Sequence, residues 1–353
     1  MTQSLQIAQV LAASGGGMGG LEKHTLSLCA ALAEQHEIHL LAGEPYRALC
    51  APHVHFHAID FRKSRYNPFL YDELKQRLKA IQPTLIHAQA GKATSLLANL
   101  RLFFPKTPRI ATIHGTKKHL RAYGAMDGVI AVSSQLASGF APEQVRVIYN
   151  GVALPTPLTA TAKRTLKTQL LAGRAGPLLV AVGRLVPIKG FDTLLRAMVG
   201  IKAQLCIVGD GEERAALYNL AHQLALEEQI QFLGFRADIK DILQAAELCV
   251  VSSHQEGGPI VLVEALQAGC PVVGSKVGMM PEWLPATALV EPRQPAALHQ
   301  LLQQVLGQLP VVSQQYAPIC QRAQYELTVS GMAQRTSDYY RQFCYRSRIV
   351  HGY

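Results

Sequence analysis

The amino-acid sequence predicts an α/β protein built from two parallel-sheet domains. Three observations carry that expectation. At 353 residues the chain is long for a single hydrophobic core. Short apolar runs alternate with amphipathic stretches, and the alternation lapses and restarts near residue 155. The expected domains are 1–155 and 156–335, with a helical segment over 336–353 that packs back on the first. Two domains imply a cleft.

In the first half the apolar runs are LQIAQVLA, EIHLLAG, HVHFHAI, TLIHAQA, RIATIHG, DGVIAVS and VRVIYNG. Helical candidates lie between most of them, as in LEKHTLSLCAALAEQ and YDELKQRLKAI, where leucine and alanine recur at three- and four-residue steps. Strands alternating with helices in this way pair in parallel. NGVALPTPLTATAKRT, rich in proline and threonine, reads as a linker. The second half resumes with LLVAVGRL, QLCIVGDG, IQFLGF, LCVVSS and CPVVGS. The last forty residues read as helical and aromatic-rich, and no internal repeat stands out.

Composition narrows the function. An apolar fraction of 49% with 16% charged residues is globular, and no apolar run has the length of a bilayer span. MTQSLQIAQV lacks a basic leader region and reads as mature sequence. The seven cysteines are scattered, without a C-x-x-C pair, so reduced thiols and a cytoplasmic location are expected. A formal charge of +10 favours an anionic partner: nucleotide phosphate, acidic lipid or nucleic acid. Nucleic acid fits worst, because the basic residues are dispersed and no recognition motif accompanies them.

Ligands of open parallel sheets bind beyond the carboxyl ends of strands, so those loops hold the candidate residues. The first loop, AASGGGMGGLEKH, satisfies G-x-G-x-x-G through Gly15, Gly17 and Gly20, with Glu44 in place for a ribose, so a dinucleotide reading is available. In the second half, AVGRLVPIKG puts Arg184 directly after a strand and Lys189 five residues later. Together they suit a diphosphate, as a planar fork and a point charge. Alone, a pair of solvated loop cations is the simpler account. SSHQEGGPIVLVEALQAGCPVV then adds Glu256 and Glu264 eight positions apart, with Gly257, Gly258 and Pro259 at a strand-to-helix turn. Backbone N–H groups and the helix dipole there favour an anion, and two carboxylates can accept from sugar hydroxyls. Glu264 lies among IVLVEAL, which argues against a solvated helix face.

GRLVPIKGFDTLL, LCIVGDGEER, FLGF and EGGPIVLVEALQAGCPVV, in this order, resemble the retaining glycosyltransferases of family 4. NGV at the domain junction and GMMPEWL after the glutamate helix extend the resemblance. It implies the GT-B architecture: two Rossmann-like parallel-sheet domains facing a central cleft. Residue by residue, it implies that Arg184 and Lys189 neutralise the diphosphate of a nucleotide-sugar. It further implies that Glu256 contacts the donor sugar, Glu264 binds the ribose, and the backbone near Phe235 and Arg236 holds the base. Gly19 and Gly20 would approach donor phosphate and acceptor, and the dinucleotide match becomes incidental to a run of glycines. The chain departs from the family in carrying Gly257-Gly258 where many members have Phe-Gly.

The implied mechanism needs no metal and no cofactor, since the nucleotide-sugar is a substrate; the sequence has no Asp-x-Asp. Fixed cations and a helix N-terminus absorb the charge that builds on the departing diphosphate. Retention in the family is ascribed to same-face attack, with leaving-group oxygen taking the acceptor's proton.

His114, in ATIHG, is placed by the resemblance near the donor sugar, although an isolated histidine at a strand end is more often structural. His53, His55 and His57 read as an exposed or edge strand in preference to a metal site. The basic loops DFRKSRYNPF (Arg62, Lys63, Arg65) and GTKKHLRAY (Lys117, Lys118, Arg121) are expected to meet an anionic glycolipid acceptor or an acidic membrane surface, with solvated loop charge as the competing account. The expected activity is transfer to a cell-envelope glycan such as lipopolysaccharide core. A nucleotide-sugar-binding regulatory or scaffold protein without transfer is the alternative.

Overall fold

The computed structural model describes residues 4–13, 17–116 and 120–351, and side chains as far as 344. Its contacts divide the chain into two units, Met1–Val152 with Val329–Tyr353, and Ala153–Thr328. The sequence had set those limits at 155 and 335.

The first unit holds a parallel sheet of seven strands: β1 (Gln6–Leu11), β2 (Glu37–Ala42), β3 (His55–Ala58), β4 (Leu85–Gln89), β5 (Arg109–Ile113), β6 (Gly128–Ala131) and β7 (Val145–Val147), in the order β3-β2-β1-β4-β5-β6-β7. The central strands are near-continuous apolar runs because helices cover both faces. One face buries Leu70, Leu74 and Leu78 from the helix Pro68–Ile81 with Leu96 and Leu97 from Ala90–Asn99. The other buries Leu28 and Leu32 of the helix Gly20–Leu32 against Met332, Tyr339 and Tyr340 of the long helix Val329–His351. The end of the chain therefore completes the core of the first unit.

The second unit has six parallel strands: β8 (Leu178–Val182), β9 (Gln204–Val208), β10 (Ile230–Gly234), β11 (Leu248–Val251), β12 (Val272–Ser275) and β13 (Leu289–Val290), in the order β10-β9-β8-β11-β12-β13. Two features of the sequence reading change. The stretch read as a linker enters the helix Ala160–Leu171, because the Thr159 hydroxyl accepts from the N–H of Ala162 and caps it. The two-residue β13 escaped notice, being too short for any periodicity to register.

Candidate active site

In both sheets the strand order reverses once, between β1 and β4 and between β8 and β11. A crevice opens at such a point beyond the carboxyl ends of the strands. In the second unit the loops leaving β8 and β11 carry the candidate charges.

After β8 the chain makes a tight turn over Pro187–Lys189 and enters the helix Phe191–Met198 through Gly190, at φ +62°. A Cβ at Gly190 would lie 2.2 Å from the carbonyl oxygen of Ser252, so only glycine allows this turn to rest on the loop after β11. Two hydrogen bonds fasten the contact: Ser252 Oγ donates to the Lys189 carbonyl (3.1 Å) and the His254 N–H donates to the Ile188 carbonyl (2.8 Å). The His254 ring is held in turn by Thr193 Oγ1 at 3.0 Å.

This packing brings the Lys189 ammonium onto the Glu256 carboxylate, which also accepts from Ser253 Oγ at 2.8 Å. The Lys189 and Glu256 side chains are 23% and 14% exposed, so the pair is sheltered but open to solvent on one side. Arg184 is exposed and makes no side-chain hydrogen bond or ion pair among the described residues. The two cations thus differ: one is held against a carboxylate, the other projects freely.

Gly257, Gly258 and Pro259 lead into the helix Ile260–Gln267, with Pro259 as its extended N-cap residue. Gly278, at φ +53°, lies so close that a Cβ would sit 2.3 Å from the Gly257 carbonyl oxygen, and the Met279 N–H donates to that carbonyl at 3.1 Å. The glycine turn is therefore braced from the loop after β12. Glu264 is only 7% exposed, which rules out a solvated helix face. Its charge reaches Cys249 on β11, whose thiol is pushed up to about 12, chiefly by burial.

At the end of β10, Gly234 adopts φ +67° and Phe235 stands 76% exposed, an aromatic face open to a ligand. Arg236 is committed to a two-point pair with Asp238, at 2.8 and 2.6 Å, and is not a spare cation.

In the first unit Gly19 caps the helix Gly20–Leu32, and its N–H donates to the Glu22 carboxylate at 3.0 Å. Gly15 lies outside the described residues. His114 follows β5, half-buried, with Nε2 2.9 Å from Gln89 Oε1 and its ring edge-on to His24 at 4.5 Å. Behind it runs a buried polar chain through Gln89, Gln9, His87 and Tyr340. Burial lowers His24 to about 4 and His87 to about 3, so both imidazoles are neutral near pH 7.

Two further expectations are refined. β3 is an edge strand, as the run of histidines suggested, but His53 precedes it and bonds the Ala30 carbonyl instead. A carboxylate does join the cluster, since Glu37 Oε1 lies 3.0 Å from His39 Nε2. Among the described residues no group of three or more such side chains is arranged to hold a metal ion. In the basic loop, Arg62 pairs with Asp60 (2.8 Å) and Lys63 with Glu73 (3.5 Å), while Arg65 stays exposed beside Tyr66. Arg121 is exposed; Lys117, Lys118 and His119 lie outside the described residues.

The serines and His254 that fix the Lys189 turn, and the Gln89 chain behind His114, were not singled out from the sequence. The only signal was SSH next to the glutamate motif; the chain behind His114 joins residues up to 331 positions apart.

Two parallel-sheet units, each with its reversal point, and a lysine–glutamate pair at the reversal of the second, define a GT-B glycosyltransferase. The chain belongs to the group 1, family 4 glycosyltransferases: the model described as Glycosyltransferase Family 4 matches residues 18–154 and that for Glycosyl transferases group 1 matches residues 162–311. It is similar to the lipopolysaccharide core biosynthesis glycosyltransferase LpsE of Rhizobium meliloti, 25% identical over 76% of this chain and 78% of that one. It is also similar to the N-acetyl-alpha-D-glucosaminyl L-malate synthase of Bacillus anthracis, 24% identical over 76% of this chain and 77% of that one. Among solved structures, Anabaena HepE in complex with UDP-glucose has the same fold, with a TM-score of 0.82 at 23% identity over 96% of this chain and 100% of that one.

Proposed function

We propose that the protein is a retaining, metal-independent glycosyltransferase that moves a sugar from a nucleotide diphosphate to a cell-envelope glycan or glycolipid, with lipopolysaccharide core as the leading acceptor. The observation that carries this reading is the Lys189–Glu256 pair at the reversal point of the second sheet, with Arg184, unpaired among the described residues, and a glycine-led helix N-terminus in adjoining loops. Before a donor binds, Glu256 neutralises Lys189. A diphosphate brings more charge than one carboxylate and draws the ammonium to itself, leaving Glu256 to accept from a hydroxyl of the donor sugar.

Cleavage between the anomeric carbon and the phosphate oxygen leaves the bonding electrons on the diphosphate. Lys189, Arg184 and the N–H groups at the start of Ile260–Gln267 stabilise that charge. The acceptor hydroxyl attacks from the face the diphosphate leaves, and its proton passes to a phosphate oxygen. Buried Glu264 binds the ribose and Phe235 flanks the base. The family resemblance assigns His114 to the donor sugar, and Gly19 and Gly20 to phosphate and acceptor.

Similarity to LpsE supports an envelope-glycan acceptor. Arg65, Arg121 and exposed Tyr66 and Phe69 suit peripheral contact with an acidic lipid surface on the cytoplasmic side. No helix among the described residues is long and apolar enough to cross a membrane.

The test is transfer itself. Nucleotide-sugars, UDP-glucose among them, are ranked by thermal shift. Nucleoside-diphosphate release is then followed with lipopolysaccharide-core acceptors, with and without EDTA, and the product's anomeric configuration is read by NMR. The proposal expects acceptor-dependent release, indifference to EDTA and a retained anomer. Donor binding without release for any acceptor would mark a binding protein; an inverted anomer or loss with EDTA would overturn the mechanism.

A further inference from the structure

We infer that Gln89 is a positioning residue that holds His114 in the tautomer protonated at Nε2, through a hydrogen-bond chain anchored on Tyr340 of the C-terminal helix. Its relevance to catalysis rests on the role given to His114 above; the tautomer itself does not.

The direction of the chain follows from the orientation of the Gln89 amide. Gln9 Oε1 accepts from Gln89 Nε2 at 3.0 Å, so the Gln9 amide group is turned to donate to the Tyr340 hydroxyl at 2.9 Å. Having accepted there, Tyr340 directs its single proton to His87 Nδ1 at 2.5 Å. His87 then carries its own proton on Nε2 and donates to Thr112 Oγ1 at 2.7 Å. The second amide hydrogen of Gln89 also faces His87 Nδ1, at 3.4 Å. With both hydrogens turned inward, Gln89 offers His114 only its carbonyl oxygen, 2.9 Å from Nε2. That nitrogen must therefore donate, and in the neutral ring Nδ1 is the acceptor.

The chain can turn only as a whole. Gln9, His87, Gln89, Thr112 and Tyr340 are all at most 1% exposed, so turning any one amide would bury mismatched donors and acceptors with no water to repair them. Depression of His87 to about 3 by burial and by His24 keeps its ring neutral at neutral pH, so one of its two nitrogens remains an acceptor. The arrangement also gives Tyr340 a task beyond packing: an aromatic ring alone would fill the core between the helices, but only the hydroxyl orders the two glutamines.

The experiment is long-range 1H–15N NMR of the full chain labelled with 15N-histidine, without any ligand, with His114→Gln identifying the His114 signals. In the wild type, His114 is expected to be Nε2-protonated at pH 7.5. Gln89→Leu, which offers no acceptor, should lose that signature in favour of Nδ1–H or an exchanging mixture. Gln89→Glu keeps an acceptor oxygen in place and should restore Nε2–H, a rescue that a space-filling role does not predict. If Gln89→Leu fails to fold, the wild-type spectrum and Gln89→Glu decide. An Nδ1–H tautomer in the wild type, or an unchanged Nε2–H signal in folded Gln89→Leu, overturns the inference. Because no donor is present, these outcomes are independent of whether His114 acts in transfer.

Discussion

Lys189 is the residue on which the proposed chemistry turns. Its ammonium is aimed by a turn that Ser252 and His254 hold, and it waits on Glu256. Lys189→Ala should lower kcat by roughly 10²- to 10³-fold, the usual cost of losing one preorganised charge donor, with an unchanged melting temperature. Steady-state rates with the authentic donor and thermal unfolding check both halves. Glu264→Gln should instead raise the KM for donor by about tenfold, the size of one charge-assisted hydrogen bond, while sparing the fold. An unchanged KM would remove the ribose role. The places of Arg184, Lys189 and Glu256 in loops after strands were legible in the sequence, and so was the burial of Glu264, from the apolar residues around it. The pairing of Lys189 with Glu256, and not with Arg184, was not legible, since it depends on how two loops 67 residues apart pack.

At the scale of elements, the strand-to-helix turn at Gly190 carries the site. Gly190→Ala meets both a left-handed backbone and a carbonyl at 2.2 Å, and should destabilise the second unit by about 3 kcal/mol and depress activity with it. Denaturant titration of the variant gives the number. The first sheet makes a pH prediction. His24, lowered to about 4 by burial, binds a proton in the unfolded chain near pH 6.5 but not in the folded one. The unfolded state therefore holds more protons between those values, and stability falls as pH drops through them, by on the order of 3 kcal/mol for His24 alone. Urea midpoints at pH 7.5 and 4.5 test this, and His24→Phe should flatten the difference. Twelve of the thirteen strands were legible as apolar runs, whereas β13 was too short. β3, one of two edge strands of its sheet, showed in its histidines, of which His55 is exposed; the central strands β2 and β4 hold His39 and His87 with hydrogen-bond partners.

For the molecule as a whole, the sequence announces two α/β units because a parallel sheet covered on both faces writes itself as apolar runs between amphipathic ones. The packing of a C-terminal helix on the first unit was expected from its helical, aromatic-rich sequence, and the helix Val329–His351 ties Tyr340 into that core. What stays hidden at this scale is the buried polar chain, because glutamine and histidine within strands carry no periodic mark. Membrane contact also belongs here: Arg65→Glu with Arg121→Glu should reduce binding to acidic liposomes by about 30-fold or more at physiological salt, at roughly 1 kcal/mol per basic residue. Equal binding of the double variant, or binding indifferent to lipid charge, would remove that contact.

The most direct test of the account is calorimetric binding of a nucleoside diphosphate and its parent nucleoside to the wild type and to Lys189→Ala. The expected result is a loss of about 10- to 100-fold for the diphosphate with the nucleoside unchanged, because the proposed contact of the lysine is with the phosphates alone. Equal affinity of the two proteins for the diphosphate, or an equal loss for both ligands, would contradict the assignment of the second unit's cations to the leaving group.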